Sequence, residues 1–307
     1  MTDSASGRAA DEFASLAEVA DELGLDRGVI PAVRRISVPV GAGQQLSVVV
    51  WGEGEPEVVF LHGGGQNART WDLVALHLGR PAIAIDLPGH GRSSWRPDRD
   101  YEPVRNAAAV AVVVERLAAR ARGVTGMSLG GLTLIRLAST CPDLVRRAVL
   151  VDVTPGSAQA AQRMTSEQRG ATELTRGPRI FASLEQMVAA AVRASPRRPA
   201  AAVRRGVRHN ARQLPDGTWT WRYDLREPQA GAAGPEIRAL WDDLGSLTMP
   251  VLLVRGGDSA FVTAGDLAEV TRRLPSVRVE VVAAAGHAVQ SDQPAALSKL
   301  IREFVFP

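Results

Sequence analysis

The chain has 307 residues, of which 45% are hydrophobic and 22% are charged. This composition is ordinary for a globular protein and excludes an intrinsically disordered chain. The 36 basic residues nearly balance the 33 acidic ones, and all the basic residues except Lys299 are arginine. The calculated pI of 9.7 is therefore weak evidence for nucleic-acid binding, and we expect none.

Cysteine content and hydropathy indicate the compartment. Cys141 is the only cysteine, so no disulfide can form within the chain, which fits a reducing environment. No stretch approaches the roughly 18 consecutive apolar residues of a membrane span, and the first residues lack the basic and apolar regions of a signal peptide. We expect a cytoplasmic protein, and the sequence carries no signal for an oligomeric state.

The first part of the chain predicts a helix followed by strands. Residues 11–24 place Phe13, Leu16, Val19 and Leu23 at helical spacing, with Gly24 as a stop signal, so residues 1–33 are interpreted as a helical extension. From residue 34 the pattern changes to short runs of β-branched residues separated by Gly and Pro, which predict strands. These runs cover residues 34–40, 45–51, 57–62 and 82–89.

The rest of the chain alternates between helical and strand patterns. Helices are predicted at 103–121 and 129–141, strands at 148–153, 250–256 and 277–282, and a closing helix at 292–306 with Asp292 as its N-cap. Such alternation predicts a mostly parallel sheet flanked by helices. Residues 34–154 and 246–307 are assigned to this α/β core. Residues 155–245, rich in arginine and alanine, are assigned to an inserted helical cap, with a short hairpin after Pro215-Asp216-Gly217.

The strongest chemical signal is Gly126-Met127-Ser128-Leu129-Gly130, a G-x-S-x-G pattern between a predicted strand and a predicted helix. In this context a serine occupies a sharp turn, and glycines on both sides allow the backbone to pass closely. The hydroxyl then projects above the sheet with a helix N-terminus behind it. Ser128 is therefore the candidate nucleophile.

Two further motifs supply the groups that a serine nucleophile needs. The glycines of residues 61–65 (LHGGG) follow a predicted strand, and we assign the backbone N–H groups of Gly64 and Leu129 to an oxyanion hole. His62 in this loop is interpreted as a structural histidine. His287 follows the last predicted strand, and an imidazole with a pKa near 6.5 suits general-base catalysis, so His287 is the candidate base.

Taken together, HGGGQN, DLPGHGRS (86–93), GMSLGG and AGHAVQSDQP resemble the α/β-hydrolase superfamily from residue 34 to the C-terminus. The resemblance implies the α/β-hydrolase fold with a Ser-His-Asp triad and a cap that shapes the substrate pocket. The sequence itself shows no dinucleotide fingerprint, and its five histidines do not form a ligand set, so we expect no cofactor or metal. Relatives that use an aspartate nucleophile, such as dehalogenases and epoxide hydrolases, are excluded because the elbow position is Ser128. DLPGHGRS is a structural signature of the superfamily.

The acid of the triad has two candidates. Superfamily members usually place it after the strand that matches residues 250–256, but the matching position here is Ser259, and Asp258 falls one residue early. On an extended segment this shift of one residue turns a side chain to the opposite side. Asp152 ends the strand after the nucleophile helix, where a group of similar small esterases has its acid. We prefer Asp152, with Asp258 as the alternative.

The cap contributes aromatic and basic candidates for substrate contact. Some tryptophans and other aromatic residues of the cap and nearby loops are candidates to line an apolar pocket, although ordinary packing is the better explanation for any one of them. They are Trp71, Trp95, His209, Trp219, Trp221 and Tyr223. Six cap arginines are interpreted mainly as a solvated surface. They are Arg197, Arg198, Arg204, Arg205, Arg208 and Arg212.

The favoured function is hydrolysis of a carboxylic ester, lactone or thioester of a small, largely apolar molecule through an acyl-enzyme. One alternative is hydrolysis of a C–C bond in a vinylogous diketone, because LHGGG also resembles the C–C bond hydrolases. That reaction would require an acid in the usual position, which Ser259 occupies. A second alternative is a ligand-binding relative with little turnover, against which the intact Ser128 and His287 argue.

Overall fold

The structure is a computed structural model that describes residues 12–224 and 235–307. The strands are β1 (Val33–Gly41), β2 (Gln44–Trp51), β3 (Val58–Leu61), β4 (Ala82–Ile85), β5 (Gly123–Met127), β6 (Ala148–Val151), β7 (Ile180–Phe181), β8 (Ala211–Gln213), β9 (Trp219–Trp221), β10 (Val251–Gly256) and β11 (Arg278–Val282). The helices are α1 (Leu16–Glu22), α2 (Asp72–Leu78), α3 (Pro103–Ala118), α4 (Leu129–Thr140), α5 (Ser157–Arg163), α6 (Ser166–Arg169), α7 (Leu184–Arg193), α8 (Ala200–Asn210), α9 (Pro235–Gly245), α10 (Ala264–Arg273), α11 (Val289–Asp292) and α12 (Pro294–Val305).

Within the described residues, the main sheet has eight strands in the order β1-β2-β4-β3-β5-β6-β10-β11. Strand β2 pairs antiparallel with both β1 and β4, and every pair from β4 to β11 is parallel. The predicted mostly parallel sheet is therefore confirmed. Its parallel strands run in one direction, so the residues that follow β3, β5, β6, β10 and β11 come together at one edge.

Both faces of the sheet are buried because successive side chains of a strand point to opposite sides. In β3, Val59 and Leu61 belong to one apolar cluster, and Val58 and Phe60 belong to another. The first cluster includes apolar residues of α3, α4, α9 and α10, and the second includes those of α1, α2 and α12. Helices therefore cover the sheet on both sides, as the continuous apolar runs in the sequence indicate.

The N-terminal helix is shorter than predicted. Residues 1–11 lie outside the described part of the chain, residues 12–15 form turns, and α1 begins at Leu16. Leu16, Val19 and Ala20 are buried against the main core. Gly24 has a φ of +65°, and the N–H of Leu25 donates to the carbonyl of Ala20 at 2.9 Å, so the glycine ends the helix as predicted.

The closing helix differs from its prediction. Instead of one helix over 292–306, α11 ends at Asp292 and α12 begins at Pro294, because proline cannot donate the hydrogen bond that a continuous helix requires. Asp292 is therefore not an N-cap. Its carboxylate accepts hydrogen bonds from the N–H of Gly286 (2.9 Å) and from Nε of Arg198 in the insertion (2.8 Å).

The insertion after β6 is mixed rather than purely helical. It contains α5 to α8 and a small antiparallel sheet in the order β7-β9-β8, with its own apolar cluster around Met187 and Trp221. The predicted hairpin is confirmed as β8 and β9, whose turn holds Gly217 at a φ of +85°. Helix α9 lies within the predicted 155–245 insertion, yet it packs on α4 in the main core.

Candidate active site

Ser128 lies in a strained turn between β5 and α4. Its φ of 51° and ψ of −119° place a non-glycine residue in a conformation that costs on the order of 1–3 kcal/mol. A Cβ added at Gly126 would lie 2.4 Å from the carbonyl oxygen of Gly130, and one at Gly130 would lie 2.3 Å from that of Leu61. The prediction that glycines are needed on both sides of the serine is therefore confirmed.

Asp152 is the acidic residue that contacts His287. Nδ1 of His287 lies 2.8 Å from Oδ2 of Asp152, whose side chain is fully buried. The N–H of Gly256 donates to Oδ1 at 2.9 Å, and the hydroxyl of Ser259 donates to Oδ2. Like Ser128, Asp152 has a positive φ, at 49°. Its carboxylate is thus held by groups from β10, the following loop and the His287 loop.

Asp258 lies elsewhere. Its carboxylate is half exposed and pairs with Nη1 of Arg197 at 2.9 Å. The main chain of Asp258 donates its N–H to the carbonyl of Ala285, but its carboxylate forms no hydrogen bond with His287. Between the two sequence candidates, the structure brings only Asp152 to the imidazole.

The hydrogen bond to Asp152 defines the state of the imidazole. A carboxylate accepts hydrogen bonds, so Nδ1 of His287 carries the proton and Nε2 of the neutral ring keeps its lone pair. Nε2 is buried, and no described residue, Ser128 included, forms a hydrogen bond with it. Ser128 and Asp152 directly follow the adjacent strands β5 and β6, and the N–H of Ser128 donates to the carbonyl of Val151 at 3.3 Å. Hydrogen bonds between a base and its nucleophile are often long without substrate.

The glycine loop after β3 lies directly against Ser128. A Cβ on Gly63 would lie 3.2 Å from Cβ of Ser128, whereas one on Gly64 would meet open space. Leu129 is the first residue of α4, so its N–H has no carbonyl to accept it within the helix. Leu129 thus follows the nucleophile directly, and Gly64 follows the glycine that lies against it. The assignment of their N–H groups to an oxyanion hole stays a prediction.

Two buried histidines brace this loop. His62 lies with Nδ1 2.8 Å from the carbonyl of Gly63, and its Nε2 accepts the N–H of Leu87 at 2.9 Å. The His90 Nε2 accepts the N–H of Gly65 at 3.1 Å. Since each Nε2 accepts a hydrogen bond, both rings must be neutral. Burial lowers the pKa of His62 to about 4 and that of His90 to about 3, so the structural role predicted for His62 fits its environment.

Other contacts of the loop were not predicted from sequence. Gln66 accepts the N–H of Gly63 at 3.2 Å, and the fully buried Gln290 donates to Gln66 at 3.3 Å. Asp86 accepts the N–H of Ala68 at 2.7 Å. The only sequence signal for these roles was the position of Asp86 and His90 inside DLPGHGRS, which the motif marks as structural without giving their partners.

The candidate aromatic residues of the cap and of the nearby loops serve mainly as packing residues. Trp71 is fully buried and stacks on Phe60 with ring centroids 4.9 Å apart, and Trp221 is buried in the cap cluster. Trp95 is 43% exposed with the guanidinium of Arg212 over its ring. Tyr223 is the aromatic residue that reaches the glycine loop, since a Cβ on Gly65 would lie 3.5 Å from its ring.

Cap arginines attach the insertion to the rest of the chain. Ion pairs join the cap to Asp258, to Asp292 and to Glu22 of α1. The arginines involved are Arg197, Arg198 and Arg205, while Arg204 pairs with Glu185 inside the cap. The solvated surface that we expected is thus, for these residues, largely a set of ion pairs.

Neither a metal cluster nor a membrane span is present in residues 12–224 and 235–307. No three His, Cys, Asp or Glu side chains lie together as metal ligands there. In the same part of the chain, no helix combines the length and the apolar composition needed to cross a bilayer.

A family model described as "Alpha/beta hydrolase family" matches residues 58–300. The chain therefore belongs to the α/β hydrolase family, and the predicted family and fold class are confirmed. It is 50% identical to the esterase Rv0045c of Mycobacterium tuberculosis, over 95% of each chain. A solved structure of that esterase superposes with a TM-score of 0.82 at 48% identity, covering 95% of this chain and 98% of the other.

More distant relatives have other substrates in their names. The chain is 30% identical to 2-(acetamidomethylene)succinate hydrolase of Mesorhizobium japonicum, over 81% of this chain and 88% of the relative. It is 29% identical to the pimeloyl-[acyl-carrier protein] methyl ester esterase of Aeromonas salmonicida, over 85% and 99%. A solved E-2-(acetamidomethylene)succinate hydrolase superposes with a TM-score of 0.76 at 26% identity, over 90% of this chain and all of the other.

Proposed function

We propose that this chain is a serine hydrolase that cleaves a carboxylic ester of a small, largely apolar substrate through an acyl-enzyme. The observation that carries the proposal is the strained Ser128 turn beside the Asp152–His287 hydrogen bond of 2.8 Å. The 50% identity to an esterase over nearly the whole chain supports an ester as the substrate class. The cytoplasmic location expected from the single cysteine stays a prediction.

In this mechanism, the hydroxyl of Ser128 attacks the ester carbonyl and Nε2 of His287 accepts its proton. Negative charge then develops on the carbonyl oxygen, which the N–H groups of Gly64 and Leu129 stabilise, together with the N-terminus of α4. The His287 imidazolium gives its proton to the leaving alcohol. Water then attacks the acyl-enzyme while His287 accepts its proton. His287 returns this proton to the oxygen of Ser128, and the carboxylic acid and the free serine are released.

Asp152 keeps His287 in the required state throughout the cycle. Its carboxylate fixes the tautomer with the proton on Nδ1 and stabilises the imidazolium that forms during each proton transfer. The two other hydrogen bonds of the carboxylate, from Gly256 and Ser259, hold it in place. The C–C bond alternative would require an acid in the usual position, but that position holds Ser259, whose hydroxyl forms a hydrogen bond with Asp152.

The test uses an active-site probe before any substrate. A fluorophosphonate should label the wild-type protein but not Ser128→Ala, and short-chain p-nitrophenyl esters should then show a burst that disappears in the same variant. Labelling with no turnover of esters, lactones or thioesters across a broad panel would reject the ester proposal. Turnover of a dienol-keto acid in place of esters would favour the C–C bond alternative, and absence of labelling would favour a ligand-binding relative.

A further inference from the structure

Ser259 occupies the position where the α/β hydrolases usually have the acid, and it is buried, with 6% of its surface exposed. Its hydroxyl donates to Oδ2 of Asp152, which is the same oxygen that accepts Nδ1 of His287. The residue thus lies one hydrogen bond away from the catalytic imidazole, yet the proposed mechanism assigns it no step.

The oxygen of Ser259 has a second partner. It accepts the N–H of Phe261 at 3.2 Å, and the ring of Phe261 stacks on the imidazole of His287 with centroids 3.6 Å apart and planes at 13°. The same hydroxyl therefore connects to both contacts that orient the imidazole. One contact is the carboxylate in the plane of the ring, and the other is the aromatic ring against its face.

We propose that Ser259 is a positioning residue for the proposed reaction. Its hydroxyl fixes the rotamer of Asp152 and the place of Phe261, and both hold Nε2 of His287 toward the nucleophile. Loss of the hydroxyl leaves Oδ2 of the buried Asp152 with the imidazole as its remaining partner among the described residues. A carboxylate with fewer hydrogen bonds interacts more strongly with the imidazolium that forms during proton transfer, so the pH dependence of the reaction should change.

The experiment follows the rate of fluorophosphonate labelling against pH, because this readout requires Ser128 and His287 but no knowledge of the substrate. In Ser259→Ala we expect the plateau rate to fall on the order of tenfold, which is the effect of one hydrogen bond to a charged group. We also expect the acid limb of the profile to move to higher pH. The other charged groups beside the His287 loop and Ser259 are unchanged in this variant; they are Arg197, Arg198, Arg255, Asp258 and Asp292.

Two further variants and one control separate positioning from packing. Ser259→Thr keeps the hydroxyl and should restore the rate and the acid limb, and Ser259→Cys, a weak donor of similar size, should lie between Ser and Ala. Ser298→Ala is the matched control, because its buried hydroxyl donates to the carbonyl of Val74 at 3.1 Å, outside the site. It should cost similar stability with no change in labelling.

The proposal rests on the proposed function, and the outcomes keep the two apart. No labelling of the wild-type protein rejects the serine mechanism itself. Normal labelling with a Ser259→Ala rate within twofold of wild type, or a lower rate with an unmoved acid limb and no rescue by Thr, rejects the positioning role and leaves the mechanism intact. Melting curves for all variants show whether a lost rate reflects unfolding.

Discussion

Replacing Asp152 by asparagine should remove most of the activity without unfolding the protein. The carboxylate accepts three hydrogen bonds, from the N–H of Gly256, the hydroxyl of Ser259 and Nδ1 of His287. The amide of asparagine has one oxygen. If that oxygen faces Gly256, the amide NH₂ faces His287 and forces the proton from Nδ1 to Nε2, where the ring can no longer act as a base.

The opposite orientation of the amide is worse. Its NH₂ group would then face the N–H of Gly256, and two buried donors would lose their acceptors at a cost of about 1–3 kcal/mol each. The first orientation is therefore favoured, and the wrong tautomer dominates. Loss of this interaction in a serine triad costs on the order of 10⁴ in rate, or about 5.5 kcal/mol of barrier.

Asp258→Asn is the matched control, because it makes the same chemical change in the competing candidate. The ion pair of Asp258 with Arg197 is about half exposed on each side, so its loss should leave the rate within about twofold of wild type. The assay compares labelling rates and p-nitrophenyl ester turnover, with circular dichroism to verify folding. A 100-fold loss in Asp258→Asn, with folded Asp152→Asn near wild type, would refute the assignment.

Three further expectations concern stability and the cap. Lowering the pH from 7.5 to 5.0 should reduce the free energy of unfolding, measured with urea, by about 2 kcal/mol for each of His62 and His90. The reason is that both histidines become protonated near pH 6.5 in the unfolded chain, whereas their folded pKa values are about 4 and 3. A rise in the free energy of unfolding over this interval would contradict the neutral assignment. Gly130→Ala places a Cβ 2.3 Å from a backbone carbonyl at the end of β3 and should cost ~2–3 kcal/mol and abolish labelling, whereas Gly206→Ala, with open space around its Cβ, should do neither. Arg198→Ala removes an ion pair between the cap and the end of α11, and should lower the midpoint of thermal unfolding and slow labelling several-fold. Unchanged labelling would show that this cap contact does not affect the active site.

Local signals in the sequence determined the fold class, the family and the candidate nucleophile. The strands are short apolar runs bounded by Gly and Pro, and both faces of the sheet are covered, so their pattern was sufficient to place them. The turn around Ser128 was also readable from its local pattern, because a Cβ at Gly126 is excluded by the backbone of Gly130, four residues later in the chain. These features depend on neighbours in the sequence, whereas the contact that excludes a Cβ at Gly130 is with the carbonyl of Leu61 and depends on how β3 and β5 pair.

Only the tertiary structure decided between Asp152 and Asp258, because the choice depends on which strand end faces the His287 loop. The spacing of the strands along the sequence does not give the distance between either carboxylate and His287. The same holds for His90 and Ser259, whose partners lie 25 and 107 residues away in the sequence. Side-chain partners at such separations are set by how β4, β6 and β10 pack in the sheet, and no local pattern encodes that packing.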